Sequence, residues 1–530
     1  MGITTLLFKK ILLKRRKPLL DRLRTLRACV QTQEETLLEL VQYANRTRFG
    51  FDHHFSEIQN VSDYQKAVPL RTYEQFFNEY FLPASKQAAE RLEVAYDPLR
   101  TSPYLDDVTW PGLVSLFSLS SGTTSGTTKF LPLTRELMVS NYQASIDLAA
   151  FHCVRNPETK ILDGKTFLLG GSVRLRKDWN GKVKSGDLSG IVAAQLPHIA
   201  RGFYFPGKEI ASIPDWEEKI DRAAEASLRE NISVIGGVPS WTLLFLEQLD
   251  QKSNMKGNLK KIWPAFELFV HGGVSFGPYR KQFETWFGPG IYYQEVYPAS
   301  EAFIAIEDPV ERALRLMVHY GTFYEFVPVS ELESETPTRL TLSQVETDEN
   351  YAVVITTNGG LWSYVLGDTI RFLSKEPPLI RITGRTKFFL SAFGEHLIQE
   401  EIETALDQTA REFETLLTDF HVAPLFPGDN GVRIGRHQFL IEFEKAPRDL
   451  KTFARRYDQV LQELNEDYAA HRAGGFGLGE PEFILAPKGV FKEWMKSKGK
   501  IGGQHKVPRI SGNRDLLNDM LNFLSLKHGV

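Results

Sequence analysis

Short apolar runs alternate with amphipathic stretches through the middle of the chain. The apolar runs lie at residues 165–169, 232–235 and 265–270, and the helix-like segments lie at 216–230 and 241–249. Strands that alternate with helices are typical of layered α/β proteins. The pattern therefore predicts a large α/β unit in this part of the chain.

The pattern changes between about residues 314 and 372, where apolar runs follow one another without helical spacing. These runs occupy residues 317–320, 322–327, 338–342 and 351–356. Polar turns separate them, so the segment is predicted to form a sheet or a partial barrel.

After Gly384 the pattern becomes that of a compact α+β unit. The predicted elements are a helix from residue 398, a strand at 437–443, a helix at 450–468, a strand at 482–486 and helices at Phe491 and Leu516. We therefore expect an α/β fold class in two domains. Residues 1–385 form a large layered domain with the strand-rich subdomain, and residues 386–530 form a small α+β domain.

The first part of the chain is basic and apolar together. Residues 6–26 mix Leu and Ile with Lys and Arg, which predicts a basic amphipathic helix. Such a helix can lie on a membrane, but it more often covers the core of its own domain. We expect the second arrangement and keep membrane contact as the alternative.

Composition narrows the class of protein. Of 530 residues, 42% are hydrophobic, and 63 Lys and Arg stand against 66 Asp and Glu, so no global positive field would recruit nucleic acid.

Cys29 and Cys153 are too few for a disulfide framework, and a reducing cytoplasm is expected. We find no apolar run of about 18 residues that would predict a membrane span. The order of apolar residues before basic ones at the start is the reverse of a secretion signal.

One loop is rich in hydroxyl groups and glycine. It runs from Ser120 to Lys129 as Ser-Ser-Gly-Thr-Thr-Ser-Gly-Thr-Thr-Lys, between an apolar strand at 113–119 and a helix predicted after Thr134. Glycine lets backbone N–H groups approach phosphate oxygens, hydroxyls donate hydrogen bonds and lysine supplies charge. The spacing differs from that of a Walker loop, so the sequence predicts another kind of phosphate-binding loop.

A second loop offers a different chemistry. Residues 273–277 read Gly-Val-Ser-Phe-Gly, a match to the nucleophile elbow of serine hydrolases, in which Ser275 would attack and Asp368 would orient a histidine. However, the preceding His271-Gly272-Gly273 overlaps the elbow, whereas the oxyanion loop of hydrolases lies elsewhere in the chain. The hydrolase remains the less favoured interpretation.

Two acidic residues end segments that are predicted to be strands. Glu301 closes the run from Tyr292, and its carboxylate could hold Mg²⁺ against phosphate oxygens. Asp368 closes the run from Gly359, and its carboxylate could accept hydrogen bonds from the two hydroxyls of a ribose. Together with the hydroxyl-rich loop, they predict a nucleotide site.

With these motifs the sequence resembles the adenylate-forming superfamily, which includes acyl-CoA synthetases, luciferase and peptide-synthetase adenylation domains. More specifically, it resembles the acyl-acid amido synthetases of the Gretchen Hagen family. The matching segments are the loop Ser120 to Lys129, Tyr297-Pro298-Ala299-Ser300-Glu301, Tyr364 to Asp368, the hinge Thr383-Gly384-Arg385, and Gln504 to Arg509. The hinge departs from the superfamily pattern because Lys387 replaces the usual aspartate.

The resemblance implies an ATP-dependent ligase that activates a carboxylic acid as an acyl-adenylate and transfers the acyl group to an amine, such as an amino acid. It implies ATP and Mg²⁺ as cofactors, with Glu301 as the metal ligand and Lys506 and Glu301 as catalytic residues. The implied ATP-binding residues are Ser120, Ser121, Gly122, Thr123, Thr124, Lys129, Tyr297, Ser300, Asp368 and Arg385. A ligase with a thiol acceptor, the serine hydrolase and a silent ATP-binding protein remain the alternatives.

Overall fold

The computed structural model describes most of the chain. The described residues are 3–120, 128–170, 173–195, 201–213, 215–254, 258–273, 276, 279–332, 334–347, 349–385, 389–390, 392–395, 397–429, 432–473, 477–498 and 509–528.

The α-helices are numbered here in chain order. They are α1 Ile3–Arg22, α2 Leu26–Ala44, α3 Arg48–Asp52, α4 Val61–Ala67, α5 Tyr73–Phe76, α6 Leu82–Leu92, α7 Arg135–Arg155, α8 Leu188–Ala194, α9 Lys208–Ala211, α10 Trp216–Ser227, α11 Pro239–Ser253, α12 Arg280–Phe287, α13 Gln399–Glu412, α14 Leu450–Leu464, α15 Glu466–Arg472, α16 Val490–Ser497 and α17 Asp515–His528.

The strands are numbered in the same way. They are β1 Leu116–Ser120, β2 Lys129–Pro132, β3 Lys165–Leu168, β4 Arg176–Asp178, β5 Val183–Gly186, β6 Tyr204–Phe205, β7 Ile232–Gly237, β8 Leu268–His271, β9 Tyr292–Pro298, β10 Phe303–Glu307, β11 Leu314–Leu316, β12 Thr322–Pro328, β13 Asn350–Thr357, β14 Tyr364–Lys375, β15 Pro378–Arg385, β16 Phe389–Leu390, β17 Leu397–Ile398, β18 Leu416–Leu425, β19 Arg436–Lys445 and β20 Glu482–Ala486.

A mixed sheet of eleven strands forms the centre of the described structure. Its order is β12-β13-β14-β15-β11-β10-β9-β8-β7-β3-β6. The strands from β9 to β6 are parallel, whereas those from β9 to β12 are antiparallel. The parallel half comes from the predicted α/β segment and the antiparallel half from the strand-rich segment. This confirms the predicted α/β class.

Three smaller sheets are present in the described part of the chain. The first has the order β2-β1-β5-β4, the second, near the C-terminus, has the order β18-β19-β20, and the third is the antiparallel pair β16 and β17. In the second sheet β18 and β19 are antiparallel, and β19 and β20 are parallel. The apolar faces of α13 and α14 cover this sheet with residues such as Leu406, Tyr457 and Leu461.

One large core covers the face of β8 and β9 on which odd-numbered residues of β9 lie. It contains Phe269 of β8, Tyr293 of β9, Phe245 of α11 and Phe283 of α12. The ring of Phe269 stacks on that of Phe283, with their centroids 4.6 Å apart. Because α12 packs on this face, its first residue, Arg280, also reaches the ring of Tyr293.

Helix α7 begins at a side chain that ties it to the central sheet. Thr134 accepts a hydrogen bond from the backbone N–H of Leu137 at 3.0 Å, which caps the helix. Its hydroxyl also donates to the carbonyl of Asn358, between β13 and β14, at 2.5 Å. The cap therefore fixes the segment between β2 and α7 against the turn that precedes β14.

Three predicted elements differ from the structure. Residues 317–320 form a turn rather than a strand, because Gly321 adopts a φ of 65° that redirects the chain into β12. Residues 338–342 make only one bridge, from Leu340 to Phe326. The helix predicted at 450–468 breaks at Asn465, which has a φ of −135° and caps α15 by accepting the N–H of Tyr468 at 2.7 Å.

The basic N-terminal helix α1 packs against α7 through a buried carboxylate. Asp147 of α7 is fully buried and accepts hydrogen bonds from Arg16 of α1, from His319 at 3.1 Å and from the hydroxyl of Tyr320 at 2.9 Å. Burial alone would raise the pKa of Asp147, but the hydrogen bonds from His319 and Arg16 hold it below its ordinary value. None of the described helices combines the length and apolar character needed to cross a membrane.

We expect Asp147→Ala to destabilise the protein by about 3–5 kcal/mol, because it leaves the half-buried guanidinium of Arg16 and the buried donors of His319 and Tyr320 without their acceptor. The loss would appear as a lower denaturant midpoint at neutral pH. Because folding lowers the pKa of Asp147, the wild-type carboxylate stabilises the fold fully at pH values above the pKa of an unfolded aspartate. This stabilisation is lost as the pH falls through the pKa of the folded state. Glu209→Ala removes a 91% exposed partner of Arg222 and serves as the control. Equal midpoints for the two variants would show that Asp147 does not anchor α1.

Candidate active site

The hydroxyl-rich loop closes a β-hairpin. Strands β1 and β2 are antiparallel, and Ser120 lies directly opposite Lys129 at the end of the ladder. The sequence predicted a strand followed by a helix, whereas the structure inserts β2 before α7. Predicted site residues Ser121, Gly122, Thr123 and Thr124 lie outside the described residues.

Lys129 is held in place at the end of this hairpin. Its side chain is buried, its ammonium donates to the hydroxyl of Tyr364 at 3.4 Å, and it lies 5.4 Å from the centre of the Tyr73 ring. The Tyr73 hydroxyl in turn accepts the backbone N–H of Phe130 at 2.8 Å. Two tyrosines from distant parts of the chain therefore position one lysine beside the predicted phosphate loop.

Tyr364 continues the chain of polar contacts to Glu301. Its hydroxyl donates to Glu301 Oε1 at 3.3 Å. Burial and the charge of Glu301 raise the pKa of Tyr364 well above its ordinary value, so the hydroxyl stays protonated and can donate. The structure thus joins Lys129, Tyr364 and Glu301 in one series.

Asp368 lies at the other end of the same motif. It is buried, and the Tyr297 hydroxyl donates to its Oδ2 at 2.5 Å. The register of β14 and β15 places Asp368 opposite Arg385. Gly367, with a φ of 93°, adopts the left-handed conformation that glycine favours immediately before Asp368.

The two motifs therefore contact each other twice, in opposite directions. In one contact Tyr297, which begins the first motif, donates to Asp368, which ends the second. In the other contact Tyr364, which begins the second motif, donates to Glu301, which ends the first. Strands β9 and β14 are not neighbours in the sheet. The contacts therefore join two strands that are not hydrogen-bonded to each other, and they place Glu301 and Asp368 at separate points of one candidate site.

The remaining predicted site residues are placed only in part. Ser300 is half-buried between β9 and β10, next to Glu301. Arg385 ends β15, but its side chain is outside the description, and Lys506 and Ser275 lie outside the described residues altogether.

Sequence reasoning did not identify Tyr73, which supports Lys129, or Glu295 and Glu307, which lie close together at the neighbouring part of β9 and β10. Glu307 accepts the backbone N–H of Glu295 at 2.9 Å. Glu295 lies inside the segment 292–301 that the sequence marked, but only its terminal Glu301 carried a recognisable chemical role. Tyr73 has no comparable signal.

Three family models match the chain. The GH3 family N-terminal domain matches residues 22–80 and 104–290, the GH3 family central domain matches residues 315–385, and the GH3 family C-terminal domain matches residues 400–515. The chain belongs to the GH3 family. The resemblance inferred from the motifs is thereby confirmed.

Relatives in this family are distant. The chain is 24% identical to the indole-3-acetic acid-amido synthetase GH3.3 of Arabidopsis thaliana over 56% of this chain and 54% of that protein. It is 22% identical to the jasmonoyl–L-amino acid synthetase JAR4 of Nicotiana attenuata over 56% of this chain and 62% of that protein. The matches thus span about half the length of such curated relatives.

Solved structures show the same fold. The GH3.15 acyl acid amido synthetase aligns over 95% of both chains with a TM-score of 0.55 and 18% identity. A 2-hydroxyisobutyryl-CoA ligase in complex with 2-HIB-AMP and CoA aligns over 94% of this chain and 92% of that chain, with a TM-score of 0.50 and 11% identity. The GH3 family chain therefore has the adenylate-forming fold that its motifs predict.

Proposed function

We propose that this GH3 family member is an ATP-dependent acyl-acid amido synthetase. It would activate a carboxylic acid as an acyl-adenylate with release of pyrophosphate, and then transfer the acyl group to an amine with release of AMP. The observation that carries the proposal is the double contact between the motifs of Glu301 and Asp368, beside the buried Lys129. Family membership and the names of the relatives support it.

The geometry suits a nucleotide laid across the motifs. Lys129 and the loop from Ser120 to Thr124 would face the phosphates, because an ammonium and hydroxyls are the donors that phosphate oxygens accept. Asp368 would accept hydrogen bonds from the ribose hydroxyls, with Arg385 on the neighbouring strand. Tyr297 orients the Asp368 carboxylate, and Ser300 would lie beside the nucleotide at the end of β9.

Glu301 is the residue we propose for Mg²⁺. The described residues contain no cluster of three or more His, Cys, Asp or Glu side chains suited to a metal. This fits a cation held by one carboxylate and the substrate phosphates, the arrangement that Mg²⁺ commonly adopts. Bound there, the ion would neutralise phosphate charge during adenylation. The partly exposed Glu301 carboxylate is fixed from one side by Tyr364.

We also propose that residues 1–385 and 386–530 act as separate domains, with Lys506 approaching the site from the second. By its resemblance to the family segment, Lys506 would stabilise charge that develops between the carboxylate and the α-phosphate.

A cytoplasmic location is proposed from the cysteines, which are both free and buried. Burial raises the pKa of each thiol to about 11, so neither is activated for chemistry.

A screen of carboxylic acids for ATP-dependent pyrophosphate release tests this function, followed by a screen of amines and coenzyme A with the best acid. We expect release to require an acid, and amide formation to follow only with an amine. Ser275→Ala should leave both steps intact. Ester hydrolysis without ATP that disappears in Ser275→Ala would instead establish the hydrolase, and thioester formation would establish a thiol acceptor.

A further inference from the structure

One carboxylate on the Tyr297 face of β9 has no role in the proposed nucleotide site. Alternate residues of a strand face the same side of a sheet, so Glu295 of β9 lies on the face of Tyr297. Tyr297 bonds to Asp368 on that face. Glu295 therefore lies between Tyr297, which contacts the proposed ribose-binding Asp368, and Tyr293, which belongs to the core that α12 covers.

The Glu295 carboxylate is half-buried, yet among the described residues it has no hydrogen-bond partner and no ion-pair partner within 4 Å. Its backbone N–H binds Glu307 at 2.9 Å, and Glu307 forms its own ion pair with Arg312 at 2.6 Å. Buried or half-buried carboxylates are normally bonded. An unpartnered carboxylate on the Tyr297 face of β9 is thus available to a ligand that carries a donor.

The titratable and charged groups around Glu295 come from four other elements. They are Glu307 of β10, Arg280 of α12 and Arg381 of β15, and His271 of β8 lies opposite Glu295 in the strand register. Burial and then the charge of Glu307 raise the pKa of Glu295 to about 7, although the two arginines oppose the shift.

His271 does not supply a compensating positive charge. Burial, followed by repulsion from Arg280 and Arg312, lowers the pKa of His271 to about 3, so its ring is neutral near pH 7. The ring stacks on Phe276, with the centroids 3.9 Å apart. Glu295 therefore keeps an exchangeable proton near neutrality and faces an uncharged neighbour on β8.

Amide formation needs such a group, if the proposed function holds. An amine is largely an ammonium ion near neutral pH, and its nitrogen cannot attack an acyl-adenylate until it loses a proton. A carboxylate with a raised pKa accepts that proton more readily than an ordinary one. A negative carboxylate also attracts an ammonium, whereas it repels a thiolate and the phosphates of coenzyme A.

We propose that Glu295 binds the ammonium group of the acceptor amine and removes the proton that blocks acyl transfer. One N–H proton moves to Glu295 Oε, and the freed lone pair forms the C–N bond at the acyl carbonyl. The C–O bond to the α-phosphate breaks, and AMP leaves with its electron pair. The second proton of the nitrogen passes to solvent. This role rests on the proposed ligase function and assigns the acceptor as a cationic amine.

The test separates the two half-reactions in Glu295→Gln, which keeps the shape of the side chain. Acyl transfer is measured in single turnovers of prepared acyl-adenylate with amine between about pH 6 and 9, and adenylation is measured by pyrophosphate exchange. We expect transfer by the wild type to rise with a midpoint near pH 7, because Glu295 must be ionised to accept the proton. In Glu295→Gln this rise should vanish and transfer at about pH 8 should fall at least tenfold, with pyrophosphate exchange unchanged.

Glu307→Gln provides a second test that a purely structural role would not satisfy. Removing the charge of Glu307 lowers the pKa of Glu295, so the midpoint of the transfer profile should move to lower pH. Glu311→Gln makes the same change at an exposed site nearby and should leave the profile in place.

Three outcomes would overturn the role of Glu295. They are an unchanged transfer profile in Glu295→Gln, an equal loss in both half-reactions, and a midpoint that stays fixed in Glu307→Gln. Absence of pyrophosphate exchange in the wild type would instead reject the ligase function, and this role with it.

Discussion

Replacing Lys129 by Met is expected to slow adenylation by on the order of 10²–10³, the usual cost of losing one preorganised donor at a site of developing charge. The ammonium is buried at the end of the β1–β2 hairpin and bound to Tyr364, which in turn binds Glu301. Met fills a similar volume, so the fold should persist. The measurement is kcat/KM for pyrophosphate exchange.

Lys177→Met is the matched control for this variant. Lys177 lies on β4 of the same four-stranded sheet, but its side chain is exposed. Its replacement should leave exchange near the wild-type rate. If the two variants behave alike, Lys129 does not contact the phosphates.

Asp368→Asn should raise the KM for ATP by at least about tenfold, because the neutral amide keeps only part of each charge-assisted hydrogen bond. Two hydrogen bonds from the ribose to a charged acceptor contribute about 1.5 kcal/mol each at the low end of their range, and every 1.4 kcal/mol is tenfold. Asn keeps the shape and can still accept from Tyr297, so the change isolates the charge. Isothermal titration with ATP measures the same loss without turnover.

Tyr297→Phe separates the orientation of the Asp368 carboxylate from its negative charge. It removes the hydroxyl that donates to Asp368 at 2.5 Å but leaves the carboxylate in place. We expect a smaller loss of ATP affinity than in Asp368→Asn. Wild-type ATP affinity in Asp368→Asn would reject the ribose assignment.

Short motifs with specific chemistry account for the predicted site residues that the structure brings together. Lys129, Glu301 and Asp368 were all singled out, and the structure brings them together through Tyr364 and Tyr297. Each motif spans five residues, and its two end residues make the two contacts. These contacts could not be predicted, since β9 and β14 are distant in the chain and are not adjacent in the sheet.

Elsewhere the sequence failed where tertiary context overrides local pattern. Strand β18 was not predicted, because the first residues of Leu416–Leu425 alternate in exposure and only the later ones form a buried run. The sequence pattern predicts a helix through Asn465, yet its side chain caps α15 and also donates to the buried carboxylate of Glu401 at 3.0 Å. The raised pKa of Glu295 depends first on its burial and then on the charge of Glu307 from another strand.

The most direct test of the account is exchange of labelled pyrophosphate into ATP in the absence of any amine. Adenylation is reversible before acyl transfer, so a ligase must catalyse this exchange when both a suitable carboxylic acid and Mg²⁺ are present. We predict exchange that requires both and that falls sharply in Lys129→Met and Asp368→Asn. No exchange with any acid of a broad library, together with ester hydrolysis that ignores ATP, would contradict the central claim.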